Sequence, residues 1–337
     1  MKVKAAILGT GYVAAELVRI LSIHPRVELI EVQGRSGVGQ PLGAIYPHLD
    51  VPLHVHELDT KVGERADVVF TALPHGTSMK YVPAILQGGA KVIDMSADFR
   101  LDPQIFEQTY GIKHECPELR GIYGLAELHR EEIKHAKLVA NPGCYPTPAI
   151  LALAPLVQER LIDLEHIIIN AISGTSGAGH QPQERTHHPI CGANIQVYSA
   201  TTHRHIPEIE QEIERIAGRP VRIHFTPHLA PVVRGILETI SVFLGEEKGK
   251  EELLSKYREF YRGKKFIRIR DSLPQLNYVI GSNYCDIGLE VSGKWAVIVA
   301  TIDNLIKGAA GQAVQNMNLM FSFPEGEGLD NLLPLRP

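Results

Sequence analysis

Short runs of aliphatic and β-branched residues recur along about the first 140 positions, separated by stretches with helical spacing of apolar side chains. The runs are Val3 to Leu8, Val27 to Val32, Asp67 to Leu73, Lys91 to Met95 and Lys137 to Ala140. Strand-like runs alternating with helices predict βαβ units, hence a parallel sheet with helices on its faces. From about residue 165 the texture changes. Ile167 to Ile172, Val221 to Phe225, Arg234 to Leu244, Phe266 to Arg270, Ile287 to Val291 and Trp295 to Ile302 read as longer strands, fewer of them separated by helices, which predicts a mixed or antiparallel sheet. Helices in this part are marked by Ile206, Ile209, Ile213 and Ile216 at 3-4-3 spacing and by the charged stretch Lys250 to Tyr261. A last helical segment, Lys307 to Met320, is small and amphipathic.

At 337 residues the chain suits two domains of roughly 150 residues. Apolar residues at 44% and charged residues at 21% supply a core and exclude a disordered or fibrous chain. Thirty-four Lys and Arg against thirty-eight Asp and Glu leave a formal charge of −4, which argues against a nucleic-acid partner. No apolar run reaches the ~18 residues of a membrane span, and the N-terminal run is stopped by Gly9 before it becomes a signal peptide. The four cysteines, Cys116, Cys144, Cys191 and Cys285, lack CxxC spacing, which predicts reduced thiols in a cytoplasmic protein.

Gly9-Thr10-Gly11-Tyr12-Val13-Ala14 follows the first strand and opens a helix. In that context GxGxxA predicts a dinucleotide site, because glycine admits a pyrophosphate and the helix N-terminus supplies free N–H donors. The second strand ends Val32-Gln33-Gly34-Arg35-Ser36. A guanidinium and a hydroxyl there, in place of the carboxylate that NAD enzymes use, favour NADP.

Cys144 stands in Asn141-Pro142-Gly143-Cys144-Tyr145-Pro146-Thr147-Pro148, between a strand and an apolar helix. A cysteine at a helix N-terminus is favoured as the thiolate, the attacking form, and the prolines and glycine fix the turn that presents it. A nucleophilic thiol needs a proton-transfer partner, and among sixteen histidines His203 and His205 stand out, just ahead of a helix entered through Pro207. In extended backbone the two rings point opposite ways, so only one is expected to face the site. No metal is expected, since His187, His188, Cys191, His203 and His205 match no zinc spacing.

With these segments in hand, the chain resembles the N-acetyl-γ-glutamyl-phosphate reductases of arginine biosynthesis over almost its whole length. Supporting stretches include Leu73-Pro74-His75-Gly76, Ser96-Ala97-Asp98-Phe99-Arg100, Ser173-Gly174-Thr175-Ser176-Gly177, Gly281-Ser282-Asn283-Tyr284-Cys285-Asp286 and Asp303-Asn304-Leu305-Ile306-Lys307-Gly308. That family's first turn usually reads Gly-x-x-Gly-x-x-Gly, and here it is one residue shorter. The resemblance implies an α/β protein: a Rossmann-like NADP-binding domain over 1–143 and 303–337, and an α+β catalytic and oligomerisation domain with a mixed sheet over 144–302, in a homodimer or homotetramer.

It also implies that Cys144 attacks a small-molecule acyl phosphate to form a thioester, that NADPH reduces it, and that His203 moves the proton. His205 is implied beside the substrate. Gly9, Thr10, Gly11, Tyr12, Val13, Arg35, Ser36 and Pro74 are expected at the cofactor, with Ser176 and Gly177 near the nicotinamide and Asn304 at its carboxamide. Arg100 is a candidate for the substrate phosphate, with a structural ion pair to Asp98 or a neighbour as the alternative. Thr186-His187-His188-Pro189 resembles instead the related reductase acting on carrier-bound aminoadipyl phosphate in lysine synthesis. A non-catalytic NADP sensor is the other alternative.

Overall fold

The computed structural model describes residues 2–334. They form two compact units, one running to Pro142 and resuming at Ala309–Leu332, the other built on Gly143–Gly308. The return to the first unit thus falls at Ala309, because Asp303 and Asn304 stay hydrogen-bonded to loops of the second unit. Leu335 to Pro337, the end of the 303–337 segment, lie outside the described residues.

The first unit holds β1 (Val3–Leu8), β2 (Val27–Gln33), β3 (Val55–His56), β4 (Val68–Thr71), β5 (Lys91–Asp94), β6 (Ile122–Tyr123) and β7 (Leu138–Ala140) in one sheet ordered β3-β2-β1-β4-β5-β7-β6. Every pairing is parallel. Ala5, Ala6, Ile7 and Leu8 have no exposed surface, as expected of a strand buried on both faces. The order reverses direction between β1 and β4, so the loops at their carboxyl ends diverge and leave a crevice where ligands of such sheets bind.

Helix Gly311–Met320 is buried at every position and packs on β5 and on helix Tyr12–Leu21. Its amide nitrogens find acceptors: Gln312 and Asn316 donate to the Gly124 carbonyl at 2.9 and 2.8 Å, and Gln315 donates to Glu127 at 2.8 Å. Internal hydrogen bonding is what allows so polar a helix inside a core. It begins later than the expected Lys307, because Ile306–Ala310 is wound as a π-helical turn.

The second unit carries β8 (Ile162–Ser173), β9 (Gln196–Val197), β10 (Ile223–Leu229), β11 (Ile236–Leu244), β12 (Ile267–Ile269), β13 (Cys285–Ser292) and β14 (Trp295–Ile302). They form a sheet ordered β12-β13-β14-β11-β8-β10-β9, with β12/β13 and β8/β10 parallel and the other neighbours antiparallel. The sheet is therefore mixed. Along β11 buried and half-buried residues alternate strictly, placing Ile236, Ile240, Val242 and Leu244 on one covered face.

Helix Pro146–Gln158 packs on β8, β11 and β14 and on helix Ile206–Ala217. It contains Pro155, which deprives the Leu151 carbonyl of its intrahelical donor. The Tyr261 hydroxyl donates to that carbonyl instead, and Tyr257 donates to Ala152.

Candidate active site

The chain enters the second unit at Gly143, whose N–H donates to Glu208 Oε1 at 2.7 Å. Its carbonyl accepts from the Thr147 hydroxyl at 3.0 Å and from the Thr147 N–H at 3.2 Å. Glu208 is 1% exposed on helix Ile206–Ala217, so a buried carboxylate and the first turn of helix Pro146–Gln158 hold the peptide before Cys144 from both sides. Cys144 is half-buried, whereas Cys116, Cys191 and Cys285 are buried. Burial lifts the Cys116 thiol to about 11, which makes it inert.

Cys144 lines a cavity of 460 Å³ together with Tyr145, Ser173, Arg185, Tyr198, His203, Arg204 and His205. His203 and His205 lie with ring centroids 4.8 Å apart, and both meet the Tyr145 ring edge-on at 5.3 and 5.9 Å. The expectation that only one imidazole faces the site is therefore corrected. His205 has helical dihedrals, φ −87° and ψ −8°, so the segment is a turn and side-chain alternation does not apply.

The His205 N–H donates to His203 Nδ1 at 3.2 Å, so the neutral His203 ring carries its proton on Nε2. Burial, then the Arg204 and Arg185 guanidiniums, hold His203 down at about 4. The Tyr145 and Tyr198 hydroxyls share a 2.8 Å hydrogen bond, and burial foremost raises both phenols. Near pH 7 the wall thus presents a neutral imidazole, neutral phenols and two guanidiniums, and it suits an anionic substrate.

His203 also predicts an acid sensitivity. An unfolded histidine titrates near ~6.5. Its folded value is lower, so the unfolded chain binds the proton first and stability falls as pH drops from about 6.5 to about 4. Melting temperature against pH should show this limb, and His203→Gln should flatten it. An unchanged slope would contradict a buried neutral ring.

The first unit gathers the residues expected at the cofactor around the carboxyl ends of three neighbouring strands. Gly9 has φ +131°, and a Cβ there would stand 2.3 Å from the Ala72 carbonyl oxygen, so the turn after β1 lies directly on the end of β4. A Cβ on Gly11 would meet nothing within 4 Å. Gly11 precedes helix Tyr12–Leu21 without any side-chain cap, so no side chain of the N-cap covers the start of that helix, the end that attracts anions. Arg35 and Ser36 are exposed beyond β2, with Ser36 Oγ 3.2 Å from Thr10 Oγ1, and Pro74 is exposed beyond β4. A pyrophosphate and a phosphorylated ribose fit this arrangement.

Other expected site residues are held by the protein itself. Arg100 donates to the carbonyls of Asn141 at 2.7 Å and Met95 at 2.8 Å, clamping the ends of β5 and β7. Asp98 accepts from the Gly76 and Met79 N–H groups. Asn304 accepts the Gly235 N–H at 2.6 Å and donates to Ser176 Oγ at 3.0 Å, tying the Ser176–Gly177 loop to the start of β11. Among the described residues no group of three or more His, Cys, Asp or Glu side chains is arranged to hold a metal. No described helix is long and apolar enough to cross a membrane.

Sequence reasoning missed Glu208, Tyr145, Tyr198, Arg185 and Arg204. Glu208 and Glu212 lie i, i+4 beside the isoleucine stripe of their helix, and two acids flanking a buried stripe were the available signal. Arg185 reaches the cavity from a distant loop, its guanidinium 5.0 Å from the Tyr198 ring centre, and no spacing announces that.

Comparison with known proteins places this geometry. Residues 4–136 match the family described as semialdehyde dehydrogenase, NAD binding domain, and residues 144–304 match semialdehyde dehydrogenase, dimerisation domain. Proteins named N-acetyl-gamma-glutamyl-phosphate reductase are similar throughout. The one from Methanopyrus kandleri is 49% identical over 98% of both chains, that from Symbiobacterium thermophilum 48% over 100% of both, and that from Methanocaldococcus jannaschii 47% over 98% of both. Among solved structures, aspartate semialdehyde dehydrogenase II from Vibrio cholerae superposes with a TM-score of 0.71 at 17% identity, covering 96% of this chain and 99% of that one. The Candida albicans aspartate semialdehyde dehydrogenase with NADP gives 0.65 at 17% identity, covering 95% and 99%.

Proposed function

The chain belongs to the N-acetyl-γ-glutamyl-phosphate reductase family of semialdehyde dehydrogenases, and from that premise we propose its reaction and the residues that perform it. It reduces N-acetyl-L-glutamyl 5-phosphate to N-acetyl-L-glutamate 5-semialdehyde with release of phosphate, in arginine biosynthesis. The observation that carries this reading is one cavity holding the half-buried Cys144 with His203, Arg185 and Arg204.

Arg185 and Arg204 attract the anionic substrate into a cavity where the His203 imidazole and the Tyr145 and Tyr198 phenols are uncharged. Cys144 at the positive end of its helix attacks the acyl carbon, the C–O bond to phosphate breaks, and a thioester remains on sulfur. Sulfur suits the task because a thioester stays electrophilic and a thiolate leaves readily. A reduced nicotinamide, when bound, supplies the hydride for that carbonyl carbon. His203 Nε2–H lends a proton to the oxyanion so formed and takes it back as the C–S bond breaks and the aldehyde departs. His205 and Arg100 stay assigned to the substrate side as the family resemblance implies, with Ser176, Gly177 and Asn304 beside the nicotinamide.

NADP is the cofactor of this reading, held by Gly9 to Val13, Arg35, Ser36 and Pro74. The exposed Arg35 is the cation nearest in sequence to the end of β2, and a charge-assisted contact is worth about 1.5–3 kcal/mol. Arg35→Ala should therefore lower kcat/KM for NADPH at least about tenfold relative to NADH. An unchanged ratio removes Arg35 from the 2′-phosphate site. The match of residues 144–304 to a dimerisation domain supports a homo-oligomer built through the second unit; a dimer or tetramer in the cytoplasm is the form this reading gives it.

The deciding experiment compares three acyl phosphates: N-acetylglutamyl, aspartyl and carrier-bound aminoadipyl. The exposed His187 and His188 beside the cavity-lining Arg185 keep the carrier-bound substrate in the comparison. Preference for the aminoadipyl compound would transfer the enzyme to lysine synthesis, and NADP binding without phosphate-dependent turnover would leave a sensor.

A further inference from the structure

We propose that Gly308 is a positioning residue for the nucleophile: a tethered π-helical turn presses bare backbone against Cys144 and sets where its sulfur stands. The inference rests on the reading of Cys144 given above. Ile306–Ala310 is the π-helical turn, and the Gly308 N–H reaches back five residues to the Asp303 carbonyl at 3.0 Å. Such single turns are rare and frequently stand at functional sites.

This turn is anchored at its root. The Asp303 side chain has no exposed surface, and its Oδ1 accepts the N–H groups of Leu305 at 2.9 Å and Ile306 at 3.2 Å. Its Oδ2 accepts the Gly281 N–H at 2.8 Å and pairs with Arg234 Nε at 3.2 Å. One buried carboxylate therefore fixes the turn to the loops ahead of β13 and β11.

At the far side of the turn a Cβ on Gly308 would stand 3.0 Å from Cys144 Cβ, 3.2 Å from Cys144 Cα and 3.1 Å from Ile302 Cδ1. Gly308 is not among the residues with positive φ, so alanine meets no backbone strain there and this contact is the obstacle. The isoleucine methyl can turn aside, but the root of the cysteine cannot. Gly143 just before it is held by Glu208 and Thr147. An added methyl group must then displace either the turn or the nucleophile by a few tenths of an ångström, and displacements of about 1 Å already cost roughly 10²-fold in rate.

The test uses the full-length enzyme carrying Gly308→Ala, alone and with Ile302→Val, assayed for kcat, KM and the rate at which iodoacetamide modifies Cys144, read by peptide mass spectrometry. Gly308→Ala should lower kcat about tenfold with KM nearly unchanged and alter the Cys144 modification rate. Adding Ile302→Val removes the aliphatic contact and should restore neither. Wild-type kcat in Gly308→Ala, or recovery in the double variant, overturns the proposal, because the effect would then be ordinary packing. If circular dichroism shows Gly308→Ala unfolded, Asp303→Asn becomes the probe: it should loosen the turn and change both kcat and modification rate, and no change in either also overturns the proposal. Cys144→Ala serves as the control. Activity retained there defeats the thioester reading, whereas its loss beside an unaffected Gly308→Ala defeats only this inference.

Discussion

Cys144→Ala should abolish phosphate-releasing reduction, by roughly 10⁴-fold or more, while the affinity for NADPH stays within about twofold. The size of the loss follows from removing a covalent step rather than a binding contact. No other thiol can substitute, since Cys116, Cys191 and Cys285 are buried, and burial keeps the Tyr145 and Tyr198 phenols protonated. The cofactor should be unaffected, since the residues expected to hold its pyrophosphate belong to the first unit and Cys144 to the second. Fluorescence titration with NADPH and a stopped assay for phosphate separate the two effects. Substantial turnover in the alanine variant would mean direct hydride attack on the acyl phosphate and would end the thioester mechanism.

His203→Asn should lower kcat by about 10²-fold or more, the usual contribution of a positioned proton donor. His205→Asn should lower it distinctly less. The two rings touch the same tyrosine, so proximity alone does not separate them. The hydrogen bond from the His205 N–H into His203 Nδ1 does, because it selects the tautomer with Nε2 protonated and stiffens the ring in that orientation. Asparagine keeps a hydrogen-bonding amide but cannot lend and recover a proton. A bound anion between Arg185 and Arg204 also opposes the charges that, with burial, depress His203, so the ring should become more basic in the complex than its free value of about 4. Comparing the acid limbs of kcat and kcat/KM would reveal that rise. If His205→Asn proves the more damaging change, the roles of the two rings exchange.

The periodicity of apolar residues was enough to disclose the longer strands of both sheets, down to β14 from Trp295 to Ile302. Long strands covered on one or both faces must write their burial into the sequence. The two-residue strands β3, β6 and β9 left no such trace, because so short a segment has no period and pairs only where a neighbour's edge is already in place. The glycine turn and Cys144 were legible for a related reason. A tight approach of Gly9 to Ala72 and a helix start after Gly143 are local demands on residue type.

What the chain order could not disclose is which distant groups gather around Cys144. Arg185 comes from a loop, Glu208 from a helix flank and Gly308 from a π-helical turn more than a hundred residues from Cys144. The fate of the His203–His205 pair also waited on folding, since the backbone turns there instead of extending. Local propensity and pattern act over a few residues, so the sequence by itself determined the elements and the kind of chemistry. The electrostatics of the cavity and the seat of the thiol arise from contacts between segments far apart in the chain, and only the packed tertiary structure decided them.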